Sequence, residues 1–315
     1  MIRRASLLLI VGLMGACARS PILPMDELQI PVRAELDEVA FFPQQDYQCG
    51  PAALATLLTQ RGVDTTPEQL VDSVYLPGRQ GSLQVEMVAA ARTHGLLVYP
   101  LAPRLQSVLT EVAAGNPVLV LQNLAFDRWP QWHFAVVVGY DLEKQTLVLR
   151  SGTTRRSIET FRQFERSWSK GERWAVVAVD PQAPPATAEL TPWLKAASDL
   201  EQIGQKEAAQ AAYRVAGDRW DSELPWFALA NSQYDAGDLF AAERSLRNSL
   251  QHNAGFAVGW FNLSQVLAER ECSTQAQAAR RCAARLAPDD SRFSVPLPAA
   301  GDQGQCQAPP VCAVP

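Results

Sequence analysis

The sequence predicts an α+β domain followed by an all-α region of helical repeats. Between residues 41 and 180, helical patterns come first, and short apolar strands separated by turn residues come later. That order fits an α+β fold with an antiparallel sheet rather than a doubly wound α/β fold. After residue 190, tryptophans recur at intervals of 33 and 34 residues, which predicts repeated helical units.

The composition indicates a globular protein long enough for two domains. The chain has 315 residues, of which 47% are hydrophobic and 19% are charged. Its net charge is -5 and its basic residues form no stripe, which argues against a nucleic-acid partner. No run of about 18 apolar residues occurs, so no transmembrane helix is expected. We predict neither a metal site nor a cofactor.

The first residues resemble a bacterial lipoprotein signal. Two arginines are followed by a short apolar stretch at residues 7–14 and by small residues before Cys17. The resemblance implies a signal peptide over residues 1–17, a lipid anchor on Cys17 and a place in the bacterial cell envelope. Because Ala18 follows, it also implies the outer membrane, facing the periplasm. The alternative is an ordinary secretory signal, cleaved near residue 16 or 18.

A cysteine at the start of an apolar helix organises the first domain, which we place at residues 41–180 after a Pro-containing tether over residues 18–40. Pro51 suits the first helical turn, and the residues up to Leu58 are nearly all apolar helix formers. The positive end of a helix dipole lowers the pKa of a thiol and raises the fraction of thiolate, its nucleophilic form. Cys49 is therefore a candidate nucleophile, and a buried structural cysteine is the alternative.

Three further helices and five strands are predicted in this domain. Thr66 and Pro67 form a helix start with a capping side chain and a proline in the first turn. The helices are expected from residue 67, over residues 82–94 and over residues 105–114. The strands are expected over residues 96–101, 117–122, 132–140, 145–150 and 174–180.

The C-terminal region has the period of a tetratricopeptide repeat. After a Pro-rich linker at residues 181–189, three units are predicted over residues 190–288, with Trp193, Trp226 and Trp260 at equivalent positions. Such arrays bind peptides or proteins on a concave face, so a protein partner is expected there. A helical bundle with coincident tryptophans is the alternative.

Four cysteines near the C-terminus predict two disulfides in an oxidising compartment. The default pairs are the neighbours in sequence, Cys272 with Cys282 and Cys306 with Cys312. A helix between the first two would oppose that pair, because about 8 residues of helix span ~12 Å, which exceeds the usual Cα separation of a disulfide. The tail over residues 289–315 is expected to be poorly ordered unless a disulfide holds it.

His133 is the histidine best placed for chemistry, because it opens an apolar strand after an aromatic-rich loop. A cysteine and a histidine together form the nucleophile and base of cysteine proteases. Gln44, with Gln45 as second choice, precedes the cysteine. A glutamine amide and the backbone N–H of Cys49 can donate hydrogen bonds to the oxyanion of a tetrahedral intermediate.

The segments QQDYQCGPAAL and HFAVVVGYD resemble the peptidase C39 family of papain-like cysteine peptidases. The resemblance covers about residues 41–180. It implies a papain-like fold, Cys49 as nucleophile, His133 as general base and acid, a nearby glutamine in the oxyanion hole, and a protein or peptide substrate. With its repeats, the whole chain resembles C39-like lipoproteins that carry a tetratricopeptide tail.

Two positions depart from the pattern of that family. The glutamine is often six residues before the cysteine, where this chain has Pro43, so Gln44 is the candidate. Ser151 stands near the place of the usual aspartate, and Asp141 lies ~26 Å along an extended strand from His133. The chain is therefore either a peptidase with a Cys–His dyad, with Ser151 as a weak third member, or a catalytically degenerate adaptor that binds peptides. Acyl transfer or amide hydrolysis on a non-peptide substrate is a third reading.

Overall fold

The structure is a computed structural model that describes residues 29–44, 48–295, 297, 302 and 304–313. The strands are β1 (Arg33–Glu35), β2 (Leu97–Pro100), β3 (Val118–Asn123), β4 (Trp132–Asp141), β5 (Thr146–Ser151), β6 (Thr154–Thr160) and β7 (Ala175–Val179). The helices are α1 (Cys49–Thr59), α2 (Pro67–Val74), α3 (Gln84–Thr93), α4 (Leu105–Ala113), α5 (Phe161–Lys170), α6 (Leu190–Gln202), α7 (Lys206–Arg219), α8 (Glu223–Asp235), α9 (Leu239–His252), α10 (Ala257–Glu269), α11 (Ser273–Leu286) and α12 (Ser291–Ser294).

Two N-terminal predictions lie outside the described residues. These are the signal peptide over residues 1–17, with Cys17, and the first part of the tether. Within the described ranges, none of the helices has both the length and the apolar character needed to cross a bilayer.

Within the described residues, the strands form one sheet in the order β2-β7-β3-β4-β5-β6, and every neighbouring pair is antiparallel. Strand β4 is its longest member. It pairs with β3 along its first half, with β1 along its last three residues, and with β5 on its other edge. Helices thus accompany an antiparallel sheet, and the predicted α+β class is confirmed.

Helices cover both faces of this sheet, and alternate residues of β4 explain how. Phe134 and Val136 belong to the core that includes α1, α2 and α3, whereas Ala135 and Val137 belong to the core that includes α4 and α5. The apolar residues of α1 are fully buried on the first face, and each buried leucine there contributes ~2 kcal/mol to stability.

The C-terminal half consists of helices α6 to α11 and the short α12. Successive helices contact one another, and the three tryptophans of the period lie on α6, α8 and α10. Trp193 and Trp260 are fully buried, and Trp226 is partly buried. The all-helical region agrees with three helical hairpins, and its assignment as tetratricopeptide repeats stays a prediction.

The two halves share one hydrophobic core. Trp193 of α6 packs with Tyr99 of β2, at a ring separation of 6.4 Å. The carboxylate of Glu111, which is fully buried, accepts hydrogen bonds from the backbone N–H and the hydroxyl of Thr187, both at 2.6 Å. These bonds hold the Pro-rich segment 181–189 against α4.

Part of the expected tether over residues 18–40 is instead part of the fold. Residues 33–35 form β1 on the end of β4, and Val39 is fully buried. The residues of β1 are partly exposed and include charges, so no hydrophobic pattern marks them as a strand.

The expected pairing of neighbouring cysteines is wrong. The disulfides join Cys272 to Cys306 and Cys282 to Cys312, with Cα separations of 5.5 and 5.9 Å. Most of α11 separates Cys272 from Cys282, so these two cannot reach each other. The two bonds instead fasten the tail to the last helical hairpin.

Candidate active site

Cys49 begins α1, and the residues from Gly50 to Leu58 are all buried. Its own side chain is half-buried, and among the described residues it is the cysteine outside a disulfide. Because the apolar residues of α1 pack against β4, the core fixes the position of the thiol. The first residue of the helix is thereby held near the start of β4.

Gly50 allows the start of α1 to lie against the loop that carries Ser82. A Cβ atom on Gly50 would lie 2.1 Å from Ser82 Oγ and 2.5 Å from Ser82 Cβ. Both separations are far below a normal van der Waals contact. Only glycine therefore fits beside Cys49 with this backbone arrangement.

Burial raises the pKa of the Cys49 thiol. Backbone hydrogen bonds from Phe134, Gly50 and Cys49 itself oppose this shift, but they are the smaller causes. The pKa of the thiol is therefore raised, whereas the helix dipole alone predicts a lowered pKa. The loss of hydration of the thiolate outweighs the stabilisation that the backbone groups provide. At neutral pH the free protein therefore holds Cys49 as a thiol.

His133 lies near the start of β4 and is 7% exposed. Its Nε2 is 2.8 Å from the Oγ of Ser151, at the end of β5. Burial lowers the pKa of His133, since desolvation disfavours the imidazolium. The ring is therefore neutral at neutral pH, and the bond at Nε2 leaves Nδ1 as the nitrogen that can serve Cys49.

Gln44 is attached to the end of β5 through its backbone. Its N–H donates to the carbonyl oxygen of Gly152 at 3.1 Å, while its side-chain oxygen is buried with no hydrogen-bond partner in the described part of the chain. A glutamine amide near the nucleophile can donate to an oxyanion through its NH₂ group. Gln45, the second choice from the sequence, lies outside the described residues.

One cleft of about 790 Å³ brings Gln44, Cys49 and His133 together. Ser151 lines a small neighbouring pocket that also contacts Gln44 and Cys49. Across the described residues, no hydrogen bond joins the Cys49 sulfur to the His133 ring. Direct proton transfer between them requires a closer approach, as is common in catalytic pairs without substrate.

Arg150 supports the end of β5 next to Ser151. It is buried, and its guanidinium donates only to backbone carbonyls, among them those of Val39 at 3.2 Å and Leu36 at 3.4 Å. Asp141, in contrast, lies at the far end of β4 and pairs with Arg33 at 2.8 Å. Asp141 is therefore remote from the start of β4, where His133 lies.

The loop over residues 76–83 forms one wall of the cleft, and the sequence did not indicate its role. A backbone bridge between Leu76 and Gly81 closes this loop, which presents Arg79 and Ser82 to the cleft. The Oγ of Ser82 is buried and has no hydrogen-bond partner among the described residues. The other wall contains Trp132, from the aromatic-rich loop noted in the sequence.

No cluster of His, Cys, Asp and Glu residues in the described part of the chain could hold a metal ion. The chemistry available in the cleft is that of a thiol, an imidazole, amide groups and a guanidinium. This set suits nucleophilic attack on an acyl carbon followed by proton transfer.

Residues 36–176 match the model of the Peptidase_C39 like family. No curated protein gives a significant match to the chain. Solved structures similar to it include a C39-like peptidase from Bacillus anthracis, with 16% identity, a TM-score of 0.40, and coverage of 47% of this chain and 97% of that one.

Two transporter peptidases are also similar. The peptidase domain of Streptococcus ComA, a bi-functional ABC transporter involved in quorum sensing, has 19% identity, a TM-score of 0.36, and coverage of 45% of this chain and 99% of that one. A double-glycine-motif protease from an AMS/PCAT transporter, solved with its leader peptide, has 20% identity, a TM-score of 0.36, and coverage of 49% and 97%.

The family match begins directly after β1, contains all elements from α1 to α5, and ends within β7, so it contains Cys49, His133 and Ser151. The helices from α6 onward lie outside it. The sheet-containing half of the chain therefore matches the C39-like peptidase family.

Proposed function

We propose that this chain is a cysteine peptidase in which Cys49 is the nucleophile and His133 is the general base and acid. The observation that carries the proposal is the single cleft that Gln44, Cys49 and His133 share. The match of residues 36–176 to the C39-like family supports it.

In the proposed reaction, His133 takes the thiol proton as the Cys49 sulfur bonds to the peptide carbonyl carbon and the carbonyl oxygen becomes an oxyanion. The backbone N–H of Cys49 and the amide of Gln44 donate to this oxyanion. When the C–N bond breaks, the imidazolium protonates the leaving amine. His133 then takes a proton from water, the resulting hydroxide cleaves the thioester, and the proton returns to Cys49.

The directions of the two pKa shifts assign a neutral resting pair to this mechanism. The thiol pKa is raised and the imidazole pKa is lowered, so the proton moves only as the carbonyl is attacked. Ser151 orients the ring through Nε2 but has no charge to stabilise the imidazolium. The pair thus acts as a dyad held by a neutral hydroxyl.

The proposal also includes the location of the enzyme and the protein that its helices bind. A lipid on Cys17 anchors the protein to the outer membrane, facing the periplasm, and residues 18–28 act as the tether. The peptidase domain extends to residue 180, and the helices over residues 190–288 recruit a protein substrate or partner on a concave face.

Labelling of the full chain with a peptidyl epoxide near neutral pH tests the enzyme. Because the peptidyl group binds in the cleft and His133 takes the thiol proton as the epoxide is attacked, we expect modification of Cys49, located by mass spectrometry, at a rate at least tenfold above that of the same chain unfolded in urea. His133→Ala removes the excess rate, whereas His94→Ala, a change at an exposed helix end, preserves it. If folded and unfolded chains react equally fast, the proposed enzyme is wrong.

The second candidate function is a catalytically degenerate adaptor that binds peptides without cutting them. Two observations favour it: His133 has a hydroxyl in place of a carboxylate partner, and Cys49 rests as a thiol without a hydrogen bond to the ring. Its distinguishing result is saturable peptide binding to the wild-type chain with no cleavage and no excess labelling of Cys49.

A further inference from the structure

We propose that the cleft selects peptides with a carboxylate near the scissile bond, and that Arg79 recognises this group. This inference deepens the proposed peptidase function, because it concerns the substrate of the same cleft. Arg79 is exposed, lines the cleft with Cys49, and has no ion pair or hydrogen bond from its side chain in the described structure.

The charge of the cleft wall favours an anionic group on the substrate. Apart from the titratable Cys49 and His133, Arg79 is the charged residue among those that line it, and none of them is acidic. The remaining polar lining consists of Ser82 and three glutamines, all of which can donate hydrogen bonds. Among the described residues, the wall around the candidate nucleophile thus holds one cation and several donors, in a protein with a net charge of -5.

The backbone of the loop that carries Arg79 is fixed by hydrogen bonds. The N–H of Leu76 donates to the carbonyl of Gly81 at 2.8 Å, and the N–H of Arg79 donates to the carbonyl of Leu76 at 2.9 Å. Gln80, which also lines the cleft, has a left-handed backbone, with φ of 49°. A guanidinium on such a turn offers a carboxylate in the cleft a planar, bidentate partner.

Ser82 gives an independent sign that this wall meets a ligand. Its hydroxyl is buried beside Gly50, the residue after the nucleophile, and is left without a protein partner. A buried hydroxyl is normally hydrogen-bonded, so an unpaired one in a substrate cleft points to a substrate acceptor. Arg79 and Ser82 lie on the same loop and line the same cleft, so one bound peptide can contact both.

The inferred substrate is therefore a peptide in which a carboxylate lies within a few residues of the cleaved bond. The carboxylate can come from an Asp or Glu side chain or from the end of a peptide. Trp132, which is 50% exposed on the opposite wall, covers the other side of such a chain with an aromatic surface.

Matched quenched-fluorescent peptides test this inference. Each set places Glu, Gln or Lys at one position from three residues before to three residues after the cleaved bond, with free or amidated C-termini. We expect kcat/KM to favour Glu over Gln about fivefold at one position, the upper range for an exposed ion pair. If amidation alone abolishes the preference, the recognised carboxylate is the C-terminal one.

Arg79→Glu should invert the preference so that Lys exceeds Glu, whereas Arg104→Glu, at an exposed position outside the cleft, should leave it unchanged. If the wild type cleaves these peptides and Arg79→Glu leaves the Glu-to-Lys ratio unaltered, the inference is wrong while the peptidase stands.

A binding measurement separates failure of the inference from failure of the peptidase. Fluorescence anisotropy of the same peptides with Cys49→Ala should show tighter binding of the Glu peptide, lost in Cys49→Ala/Arg79→Glu. If no peptide is cleaved yet this preference is found, carboxylate recognition stands and the peptidase does not. Equal binding of the Glu, Gln and Lys peptides at 50 mM salt overturns the inference.

Discussion

The Nε2 of His133 lies 2.8 Å from the Oγ of Ser151, so a hydroxyl holds the ring where the family usually has a carboxylate. A hydroxyl fixes orientation through one hydrogen bond, but it adds no charge that would raise the pKa of the imidazole. The enzyme proposed here must therefore work with a weakly basic histidine and a thiol whose pKa is raised.

Ser151→Asp should raise the pKa of His133, because a carboxylate beside Nε2 stabilises the imidazolium. The acidic limb of the kcat/KM profile should then move to higher pH, and kcat should increase. Ser151→Ala should lower kcat/KM about fivefold by removing a hydrogen bond worth ~1 kcal/mol. Ser157→Asp, on β6, is the control, and an identical pH profile for Ser151→Asp and wild type would contradict the assigned contact.

In the wild type, the acidic limb of the activity profile should lie at unusually low pH, and the reactivity of the free thiol should rise only at unusually high pH. His133 must be neutral to accept the thiol proton, and its pKa lies below the ordinary value of 6.5, so activity should persist as the pH falls past 6.5 and disappear only at lower pH. Burial raises the pKa of Cys49 above that of an ordinary thiol, so iodoacetamide should modify the substrate-free protein rapidly only in alkaline solution. The rate of alkylation of Cys49 and the value of kcat/KM, each measured from pH 4 to 10, test these two expectations. A thiolate plateau at neutral pH would show that the pair rests in its charged form.

Gly50→Ala should displace the start of α1, since the new methyl group would overlap Ser82. Overpacking of this kind costs ~1–3 kcal/mol of unfolding free energy, and a shifted thiol should lose at least tenfold in kcat/KM. Gly78→Ala is the matched control, because a Cβ at that position meets no atom within 4 Å.

The double variant Gly50→Ala/Ser82→Gly distinguishes two causes of destabilisation. One is steric overlap of the new methyl group with Ser82, and the other is the more restricted backbone of alanine at position 50. If it recovers stability, the overlap with Ser82 is the cause. If Gly50→Ala alone has the stability and activity of wild type, the close packing described beside Cys49 is contradicted.

Disulfide mapping after non-reducing proteolysis should find Cys272 joined to Cys306 and Cys282 joined to Cys312, with Cys49 as a free thiol. Cys306→Ala/Cys272→Ala should lower the unfolding free energy of the helical half by ~4 kcal/mol, the chain-entropy value for a loop of this length. Chemical denaturation followed by helical circular dichroism measures the change. Peptides that link Cys272 to Cys282 would contradict the observed connectivity.

The sequence predicted the elements whose patterns are local. The Gly-Pro pair and the apolar run placed the start of α1 at Cys49, and the apolar strands were found within one or two residues of their bounds. Helix α5 was not predicted, although its sequence contains a local pattern typical of a helix start. This pattern is a capping box at Thr160 and Gln163, followed by aromatic residues on one face. Predicting the class of fold needed little beyond these patterns.

The rest depended on contacts between distant residues. Strand β6 is an exposed edge with charges on both faces, and even Ile158 is solvent-exposed, so no period of two marks it. The unpaired hydroxyl of Ser82 and the partners of the four C-terminal cysteines are set by how separate segments meet. The contact between His133 and Ser151 was suggested by position along the strand, and its distance came only from the packed sheet.

Glu111 binds Thr187 from inside the core and thereby removes the hinge that a Pro-rich segment would normally provide between two halves. If the helices recruit a protein as proposed, that protein would be presented to Cys49 in a fixed orientation. The cleaved bond would then be selected partly by its distance from the segment that the helices bind, and only partly by the residues beside the bond. Insertion of a few flexible residues into segment 181–189 would then allow cleavage at a wider range of distances, while the cleft itself would be unchanged.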